Sequence, residues 1–362
     1  MSIEWIYITL HVTFYGVFFT FALVGLYRKL NPDLGTIRLE DVTLIVPFRD
    51  EENTLPTLLN SLLQQEKLPT KLLFIDDHSS DGSKSLVRNQ LNHLDFELLQ
   101  LSDDLFGKKN AIQLGVNRTT TKYCLTLDAD VHLAKNYFSD LELLEDTDMW
   151  ILPVRMYGRS LIAKFASIDN TLSNILNRSS SVLFRPVLAS GANLLFKTKS
   201  YRELSKSDHF NILSGDDMFL LRDFRQAGCD IRITADPRLI ASTEAPNSIK
   251  AWFNQRIRWI SKTSNVRDIL PLVYAVINFS LGVFFYYTFL YLISIDFQSG
   301  MYLLLFKLFY DTLSMSPHFL SENNQKELIL TPIYNLLLPI YSLILVTFSA
   351  IYKPKWKGRS LK

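Results

Sequence analysis

Long stretches without charge constrain this chain more than any other feature of its sequence. No charged residue occurs from Ile269 to Ile295 or from Leu328 to Tyr352, and Ile3 to Tyr27 carries only Glu4 and His11 as acidic or basic side chains. About 20 helical residues span the hydrocarbon core of a bilayer, so each stretch is long enough to cross it. An integral membrane protein is therefore predicted, with a buried core helix as the alternative for any single stretch.

The first stretch is predicted to be a retained anchor rather than a signal peptide. Its apolar run is long, it lacks a basic start, and no small-residue cleavage site precedes Arg28-Lys29. A further apolar segment, Met301 to Met315, is interrupted by Lys307 and Asp311, whose i,i+4 spacing lets them pair on one helix face. This segment either lies along the membrane interface, packs against the other helices or spans the bilayer.

Basic residues set the predicted orientation. Arg28-Lys29 follow the first stretch, and the tail after Tyr352 holds five basic residues and no acidic one. Cytoplasmic flanks of membrane helices are enriched in Lys and Arg, so both flanks are expected in the cytoplasm. The predicted domains are an anchor (1–30), a cytoplasmic globular region (31–267), a membrane region of two or three helices (268–352) and a basic cytoplasmic tail (353–362).

The charge balance and the cysteines add two limits. The 38 basic and 36 acidic residues leave a net charge of +2, which gives no support for a nucleic-acid partner. Cys124 and Cys229 both lie in the region predicted to be cytoplasmic, where thiols stay reduced. We therefore expect two structural thiols in apolar surroundings and no disulfide between them.

The region between the membrane stretches alternates short apolar runs with amphipathic helical segments. This alternation predicts an α/β fold with a mainly parallel sheet. Carboxylates follow two of the strands directly, at Asp76-Asp77 and at Asp128, and open α/β sheets bind ligands at the carboxyl ends of their strands. The predicted strands are Val42–Val46, Lys71–Ile75, Phe96–Leu99 and Tyr123–Leu127.

Beyond Trp150 the apolar pattern is less regular. It recovers at Ser214, where a helix is predicted that carries Met218, Leu221 and Phe224. Another helix is expected from Ser248 to Lys262, just before the second membrane stretch.

Asp128 and Asp130 flank a single small residue directly after a predicted strand. This spacing puts two hard oxygen ligands on one turn, which suits Mg²⁺ or Mn²⁺ bridging a diphosphate. The alternative is a solvated aspartate turn without a metal.

Several segments together resemble family 2 glycosyltransferases, which have the GT-A fold. They occur in the family's order between Asp41 and Lys262, about three fifths of the chain. The resemblance implies a Rossmann-like catalytic domain that transfers a sugar from a nucleotide-sugar donor. The matching segments are LIVPFRDEE (44–52), FIDDHSSDGS (74–83), GKKNA (107–111), Asp128-Ala129-Asp130, GAN (191–193), SGDD (214–217) and QRIRW (255–259).

The resemblance assigns the donor side of the site. The acidic pair after the second strand meets the uracil or ribose, which here is Asp76-Asp77, with Asp77 chosen for the base. Glu51 takes the place of the family's first acidic residue, although the usual Asn-Glu is Asp50-Glu51 here. Lys108 stands where the family has a basic residue near the donor phosphates. An Asx turn for the pair and a surface position for the lysine are the structural alternatives.

The same resemblance assigns the catalytic base. Ser214-Gly215-Asp216-Asp217 corresponds to the family's Thr-Glu-Asp, whose last carboxylate is the base, so Asp217 is predicted for that role with Asp216 beside it. An inverting transfer needs a carboxylate near the acceptor hydroxyl to accept its proton. The structural alternative is that both aspartates only complement the helix dipole, which favours carboxylates at a helix start.

Gln255, Arg258 and Trp259 match the Gln-x-x-Arg-Trp motif of the membrane-integrated branch of the family. An arginine can bind a diphosphate bidentately, and a tryptophan offers a flat face for an acceptor sugar or lipid headgroup. An interfacial anchor before the membrane stretch is the alternative. The motif also occurs in processive polysaccharide synthases.

The sequence therefore predicts an inverting, metal-dependent transfer from a UDP-sugar to a lipid or lipid-linked acceptor. The catalytic domain would face the cytoplasm at a bacterial inner or plasma membrane. One alternative is a processive polysaccharide synthase, disfavoured because two or three C-terminal spans give little wall for a polymer channel. The other is a noncatalytic scaffold with a nucleotide-sugar fold, against which the full set of expected carboxylates argues.

Overall fold

The structure of the chain is a computed structural model. It describes residues 35–183, 185–204, 215–266, 268–322 and 324–352 throughout, with nine residues between 6 and 20 and four between 355 and 360. The nine described residues of the predicted anchor are helical. The rest of the anchor, most of the basic tail and Ser214 lie outside the described residues.

Ten strands and eleven helices build the described part of residues 35–352, together with short 3₁₀ turns. The strands are β1 (Val42–Phe48), β2 (Lys71–Asp76), β3 (Glu97–Gln100), β4 (Tyr123–Leu127), β5 (Val131–Leu133), β6 (Met149–Ile151), β7 (Val154–Tyr157), β8 (Asn193–Lys197), β9 (Ile231–Ile233) and β10 (Ala241–Glu244). The helices are α1 (Leu55–Leu63), α2 (Ser83–Gln90), α3 (Lys108–Arg118), α4 (Tyr137–Leu141), α5 (Leu161–Leu183), α6 (Thr198–Leu204), α7 (Asp216–Gln226), α8 (Ile249–Val266), α9 (Ile269–Ile295), α10 (Phe297–Ser321) and α11 (Thr331–Ile351).

The central sheet has seven strands in the order β3-β2-β1-β4-β8-β6-β9. Only β8 runs antiparallel to its neighbours β4 and β6, while the other adjacent pairs in this sheet are parallel. A second sheet, β5-β10-β7, lies beside it. The predicted α/β class with a mainly parallel sheet is confirmed.

The burial of strand β1 explains its continuous apolar sequence. All seven of its residues are buried, as expected for a strand covered by helices on both faces. Leu44 and Val46 join the core with α1, whereas Ile45 joins a second core with α3. The continuous apolar run is therefore explained by two separate cores on opposite faces of one sheet.

Helix α5 was not predicted from the sequence. Its 23 residues include a polar side that turns toward the globular region, where Ser167, Asn170 and Asn174 bond to backbone or side-chain groups. Ile168 and Ile175 lie in a small apolar core shared with the C-terminal helices. Its apolar residues recur at intervals of three or four, a helical pattern that was within reach of sequence analysis; they are Leu161, Phe165, Ile168, Leu172 and Ile175.

Helices α9 and α10 form a hairpin. The turn is set by Asp296, whose carboxylate accepts from the backbone amides of Gln298 and Ser299 at 3.2 and 2.9 Å. Within α10, Lys307 Nζ donates to Asp311 Oδ2 at 2.6 Å, so the predicted i,i+4 pair is confirmed. Two described segments, Ile269–Ile295 and Gln325–Ser349, are long and apolar enough to cross a membrane, which by itself is weak evidence that they do.

Ion pairs attach both ends of the hairpin to the globular region. Asp268, at the start of α9, pairs with Arg225 of α7. Glu322, directly after α10, pairs with Arg178 of α5, with Nη2 3.0 Å from Oε1. The hairpin therefore leaves the globular region and returns to it.

Candidate active site

A cavity of about 340 Å³ lies at the carboxyl ends of β1 and β4, between the central sheet, α5 and α8. Seven carboxylates and four basic side chains line it, so its lining carries an excess of negative charge. Ten of the eleven predicted site residues lie in this lining, which are Glu51, Asp77, Lys108, Asp128, Asp130, Asp216, Asp217, Gln255, Arg258 and Trp259.

Two loops hold each other at the edge of the cavity. Asp50 adopts a positive φ of 48°, and its Oδ1 accepts from the backbone amide of Ser80 at 2.8 Å. The amide of Glu51 donates to Ser83 Oγ at 2.8 Å. Asp81 accepts from the amide and hydroxyl of Ser83 at the start of α2. The loop after β1 is thus fixed on the loop after β2, which places Glu51 at the cavity.

The acidic pair after β2 divides into two environments. Asp76 is fully buried outside the cavity, where its Oδ1 accepts from the amide of Ser79 at 2.9 Å and its Oδ2 lies 3.4 Å from Lys84 Nζ. Asp77 lines the cavity and accepts from the amide of Gly107 at 3.1 Å. Burial raises the pKa of Asp77, while the Gly107 amide opposes the shift. Asp77 therefore lies at the cavity, whereas Asp76 holds the loop after β2 in place.

Lys108 begins α3 and links the two carboxylate groups of the site. Its Nζ lies 2.5 Å from Asp128 Oδ1 and 3.6 Å from Asp216 Oδ2. Burial by itself would lower the pKa of this lysine, but Asp128, Asp216 and Asp217 outweigh it and raise the pKa. Lys108 is therefore a fixed positive charge in the middle of the cavity.

Asp128 and Asp130 lie on the turn between β4 and β5. Thr243 of β10 donates its hydroxyl to Asp130 Oδ2 at 3.2 Å. Burial, followed by the charges of Asp128 and Glu51, raises the pKa of Asp130 to about 6. Asp130 is therefore a buried carboxylate beside two others, and a bound cation would offset their combined negative charge.

The chemistry of these donors fits a divalent metal shared with a ligand. Across the described residues no group of three or more His, Cys, Asp or Glu side chains is placed to hold a metal ion alone. Mg²⁺ in nucleotide sites is commonly held by one or two carboxylates together with substrate phosphates. Two aspartates in an acidic cavity match that arrangement, in which the diphosphate completes the coordination shell.

Asp216 and Asp217 are placed by the start of α7. Gly215 before them has a φ of 90°, which a side chain would rarely adopt. Asp216 faces Lys108, whereas Asp217 Oδ2 accepts from the amide of Gly191 at 3.2 Å. A Cβ at Gly191 would lie 2.8 Å from both Asp216 Oδ2 and Lys108 Nζ, so a larger residue there would displace the ends of these two side chains.

Helix α8 supplies the other wall. Burial lowers the pKa of Arg258, and the charges of four cavity aspartates oppose this shift. They are Asp128, Asp217, Asp130 and Asp216, so the guanidinium lies near all four carboxylates. Gln255 Oε1 is buried at the cavity without a hydrogen-bond partner among the residues that the structure describes. An acceptor atom of this kind usually finds its partner in a ligand or water.

Several cavity residues were not predicted. Arg49 directly follows β1 and Glu244 is the last residue of β10. Asn177 and Arg178 lie on α5. Arg49 lies inside the quoted segment LIVPFRDEE and was within reach of sequence analysis. The α5 residues were missed because the helical spacing of the apolar residues in 161–183 was not recognised.

The fold and the cavity define a class of protein: GT-A-like α/β enzymes with an acidic site at the carboxyl ends of the central strands. The chain belongs to glycosyl transferase family group 2, whose family model matches residues 123–352. The model of glycosyl transferase family 2 matches residues 43–160. The predicted resemblance to family 2 glycosyltransferases is therefore confirmed at the level of the family, while membership of the membrane-integrated branch with its Gln-x-x-Arg-Trp motif stays a prediction.

Particular relatives are similar over part of their length. Poly-beta-1,6-N-acetyl-D-glucosamine synthase of Staphylococcus aureus is 24% identical over 238 residues, which cover 63% of this chain and 56% of the relative. The synthase of Staphylococcus epidermidis is 23% identical over 246 residues, 65% of this chain and 58% of the relative. The chain thus spans little more than half the length of these relatives.

One solved structure shares the fold over nearly the whole chain. It is the mannosyltransferase PcManGT from Pyrobaculum calidifontis in complex with GDP-Man and Mn²⁺, with a TM-score of 0.55 and 19% sequence identity. The match covers 92% of this chain and 99% of the other. At this identity the likeness supports the GT-A-like fold and says nothing of the substrate.

Proposed function

We propose that the protein is an inverting, metal-dependent glycosyltransferase that moves a sugar from a UDP-sugar to a hydroxyl of a lipid or lipid-linked acceptor. The observation that carries the proposal is the single cavity that unites Asp128, Asp130, Asp217, Lys108 and Arg258. An inverting transfer needs a diphosphate site and a carboxylate base in one place, and these side chains provide both.

The acidic lining supports metal dependence by a charge argument. A nucleoside diphosphate is anionic and would be repelled by a cavity in which carboxylates outnumber basic groups seven to four. A divalent ion at Asp128 and Asp130 would neutralise the leaving diphosphate as a Lewis acid. Lys108 and Arg258 add fixed positive charge on the same side of the reaction.

Asp217 is proposed as the base. Its carboxylate accepts the proton of the acceptor hydroxyl as that oxygen attacks the anomeric carbon, opposite the departing diphosphate. Asp216 is engaged by Lys108, which also holds Asp128, so Asp216 belongs to the donor side. Asp217 is oriented instead by the Gly191 amide and is proposed to face the acceptor.

The donor base is proposed to lie against Asp77 and Glu51, where the loops after β1 and β2 meet. Of the acidic pair expected to contact the uracil or ribose, Asp77 is the residue that lines the cavity. The mannosyltransferase of similar fold carries GDP-Man, so a GDP-sugar belongs in any donor panel.

The acceptor is proposed to enter from the side of α8. Gln255 and Trp259 line the cavity there, and α8 leads within a few residues into α9, which is long and apolar enough to cross a membrane. Trp259 offers an aromatic face and Gln255 an unused acceptor oxygen, a pair suited to a sugar hydroxyl. This continuity favours an acceptor held at the membrane face, with the catalytic region in the cytoplasm.

Processive synthesis is the second candidate function. The staphylococcal relatives are named as synthases of a polymer of N-acetylglucosamine, which favours it. The same cavity would serve both reactions, and only the length of the product separates them.

The test is transfer by the full-length protein in membranes, read by mass spectrometry. Donors are labelled UDP-glucose, UDP-N-acetylglucosamine and GDP-mannose, and acceptors are the native lipids plus octyl glycosides of glucose, mannose and N-acetylglucosamine. We expect one UDP-sugar to be transferred with Mn²⁺ or Mg²⁺, and transfer to stop with EDTA. Products longer by many sugars would favour processive synthesis, and no transfer from any donor would contradict the proposal.

A further inference from the structure

Arg256, the second residue of the QRIRW segment, packs on the tryptophan that lines the cavity. Its guanidinium carbon Cζ lies 4.3 Å from the centroid of the Trp259 ring. Arg256 is only 5% exposed and does not itself line the cavity. The indole is therefore held by a buried cation that has no direct access to a ligand in the cavity.

Arg256 is in turn fixed by Asp169 of α5. Its Nη1 lies 2.6 Å from Asp169 Oδ2, and its Nη2 donates to the backbone oxygen of Ala166 at 3.4 Å. The two bonds attach the α8 side chain to neighbouring residues of α5. A planar guanidinium held at such points has little freedom to tilt, so the ring stacked on it is oriented as well.

The other oxygen of Asp169 is bound by α11. Tyr334 and Tyr341 donate their hydroxyls to Asp169 Oδ1 at 2.5 and 3.0 Å. Tyr334 is 1% exposed, so this end of the network is buried. A continuous set of contacts thus runs from α11 through Asp169 and Arg256 to the ring of Trp259.

We propose that Arg256 is a positioning residue for the acceptor, and that the docking of α11 through Asp169 sets the orientation of the Trp259 platform. The proposal rests on the proposed function, in which Trp259 stacks on an acceptor sugar. It assigns a role to a residue between the named positions of the Gln-x-x-Arg-Trp motif. It also makes acceptor binding depend on a helix of the apolar C-terminal region.

The test compares Arg256→Lys and Tyr341→Phe with a matched control. Lysine can keep the charge near Asp169 but loses the planar stacking on the indole, and phenylalanine removes one of the two hydroxyls on Asp169. The control is Arg232→Lys, since Arg232 lies 6.0 Å from the Trp150 ring, a similar pair outside the cavity. Each variant is assayed for the KM of the donor, the KM of the octyl glycoside that the wild type uses fastest, kcat and thermal unfolding.

We expect Arg256→Lys to raise the acceptor KM by about tenfold while the donor KM stays within about twofold. Tyr341→Phe should raise the acceptor KM by about threefold in the same manner, and Arg232→Lys should change neither KM. Equal changes in both KM values, or an unchanged acceptor KM in Arg256→Lys and Tyr341→Phe, would overturn the inference alone. A wild-type protein that transfers no sugar would overturn the proposed function and the inference together.

Discussion

Asp216 and Asp217 are neighbours in the chain, yet different groups hold their carboxylates. Asp216 lies 3.6 Å from Lys108, whose Nζ also contacts Asp128, whereas Asp217 accepts from the amide of Gly191. In the proposed mechanism, the adjacent positions separate a donor-side charge from an acceptor-side base. This division is what the proposed mechanism requires of the two residues.

Asp217→Asn keeps the shape of the side chain and removes the base. A positioned base contributes about 10²–10⁴ in rate, so turnover with acceptor should fall by about 10²-fold or more. UDP affinity should survive, because Asp77, Lys108 and the metal aspartates are untouched. The measurements are initial transfer rate and UDP calorimetry, with Asp216→Asn as the comparison. Normal turnover in Asp217→Asn and a loss in Asp216→Asn would move the base to Asp216.

Gly191→Ala tests the close packing at the centre of the cavity. The new methyl group would lie 2.8 Å from the ends of Lys108 and Asp216. Both side chains would have to shift away from their present positions in the cavity. Transfer should fall at least tenfold with little change in thermal unfolding, because the displaced atoms belong to flexible side chains. The control is Gly115→Ala, which meets Ile45 and Ile75 of the core at 2.8 Å and should lower stability instead. Wild-type transfer by Gly191→Ala would contradict this account of the site.

At the residue scale the sequence predicted most of the charged residues that line the cavity, Asp128 and Asp130 from their spacing after a strand and the other residues from the resemblance to the family. Asp77, Lys108 and Asp128 follow strand ends or begin a helix, so their positions depend on neighbouring residues in the chain. Arg178 depends on a contact with Glu322, 144 residues away, which no local pattern contains. The role of Asp76 also needed the structure, since both aspartates are buried and only their partners and the cavity lining distinguish them.

Helix α5 joins the cavity to the C-terminal helices. One end of this link is the buried pair Arg178–Glu322, with side chains 2% and 1% exposed. Glu322 also accepts from Thr171 at 2.8 Å and from Asn174 at 3.3 Å. A carboxylate with this many partners on one helix holds α5 firmly against the end of α10.

Glu322→Gln should destabilise the protein strongly. Removing one partner of a buried ion pair leaves an uncompensated charge, which typically costs about 3–5 kcal/mol. The control is Glu142→Gln, because the Lys67–Glu142 pair is 60% and 34% exposed and such pairs contribute about 1 kcal/mol or less. Thermal unfolding in detergent compares the two, and equal shifts would show that the α5 contact is not a structural link.

Elements that form a continuous apolar run were predicted well. Strand β4 and helix α9 have the predicted bounds, and β1 and β2 differ only at their ends. Strands β6, β7 and β9, three or four residues each, are too short to carry a period. Strand β6 pairs with β8, β7 with β10 and β9 with β6, so their places depend on pairing that a local pattern cannot encode.

The whole molecule combines a catalytic region with an apolar hairpin that begins and ends beside it. Asp268 and Glu322 attach its two ends, and the turn at Asp296 lies at its far end. Helix α11 then stays close to the catalytic region, since Tyr341 packs on Trp252 and Phe348 packs on Phe253 of α8. If the hairpin crosses a membrane and α11 stays beside α8, the tail lies on the same side as the catalytic region. If α11 crosses as well, which its length and apolar composition allow, the tail lies opposite.

Labelling with a membrane-impermeant thiol reagent tests this topology. On a Cys229→Ser background, Gln298→Cys at the hairpin turn should react in intact cells, whereas Ser102→Cys and Ser360→Cys should be protected until the cells are opened. Cys124 is fully buried and provides little background. Labelling of Ser360→Cys in intact cells would mean that α11 crosses the membrane and that the basic tail lies opposite the catalytic region.

The central claim is sugar transfer that depends on a metal held by Asp128 and Asp130, and the Mn²⁺ dependence of transfer by Asp130→Ala tests it most directly. Initial rates are measured with the preferred UDP-sugar across a Mn²⁺ titration, beside the wild type and after confirming equal thermal unfolding. The account predicts saturable Mn²⁺ activation in the wild type and nearly abolished transfer in Asp130→Ala at every Mn²⁺ concentration. Full transfer by Asp130→Ala with wild-type Mn²⁺ dependence would contradict the account.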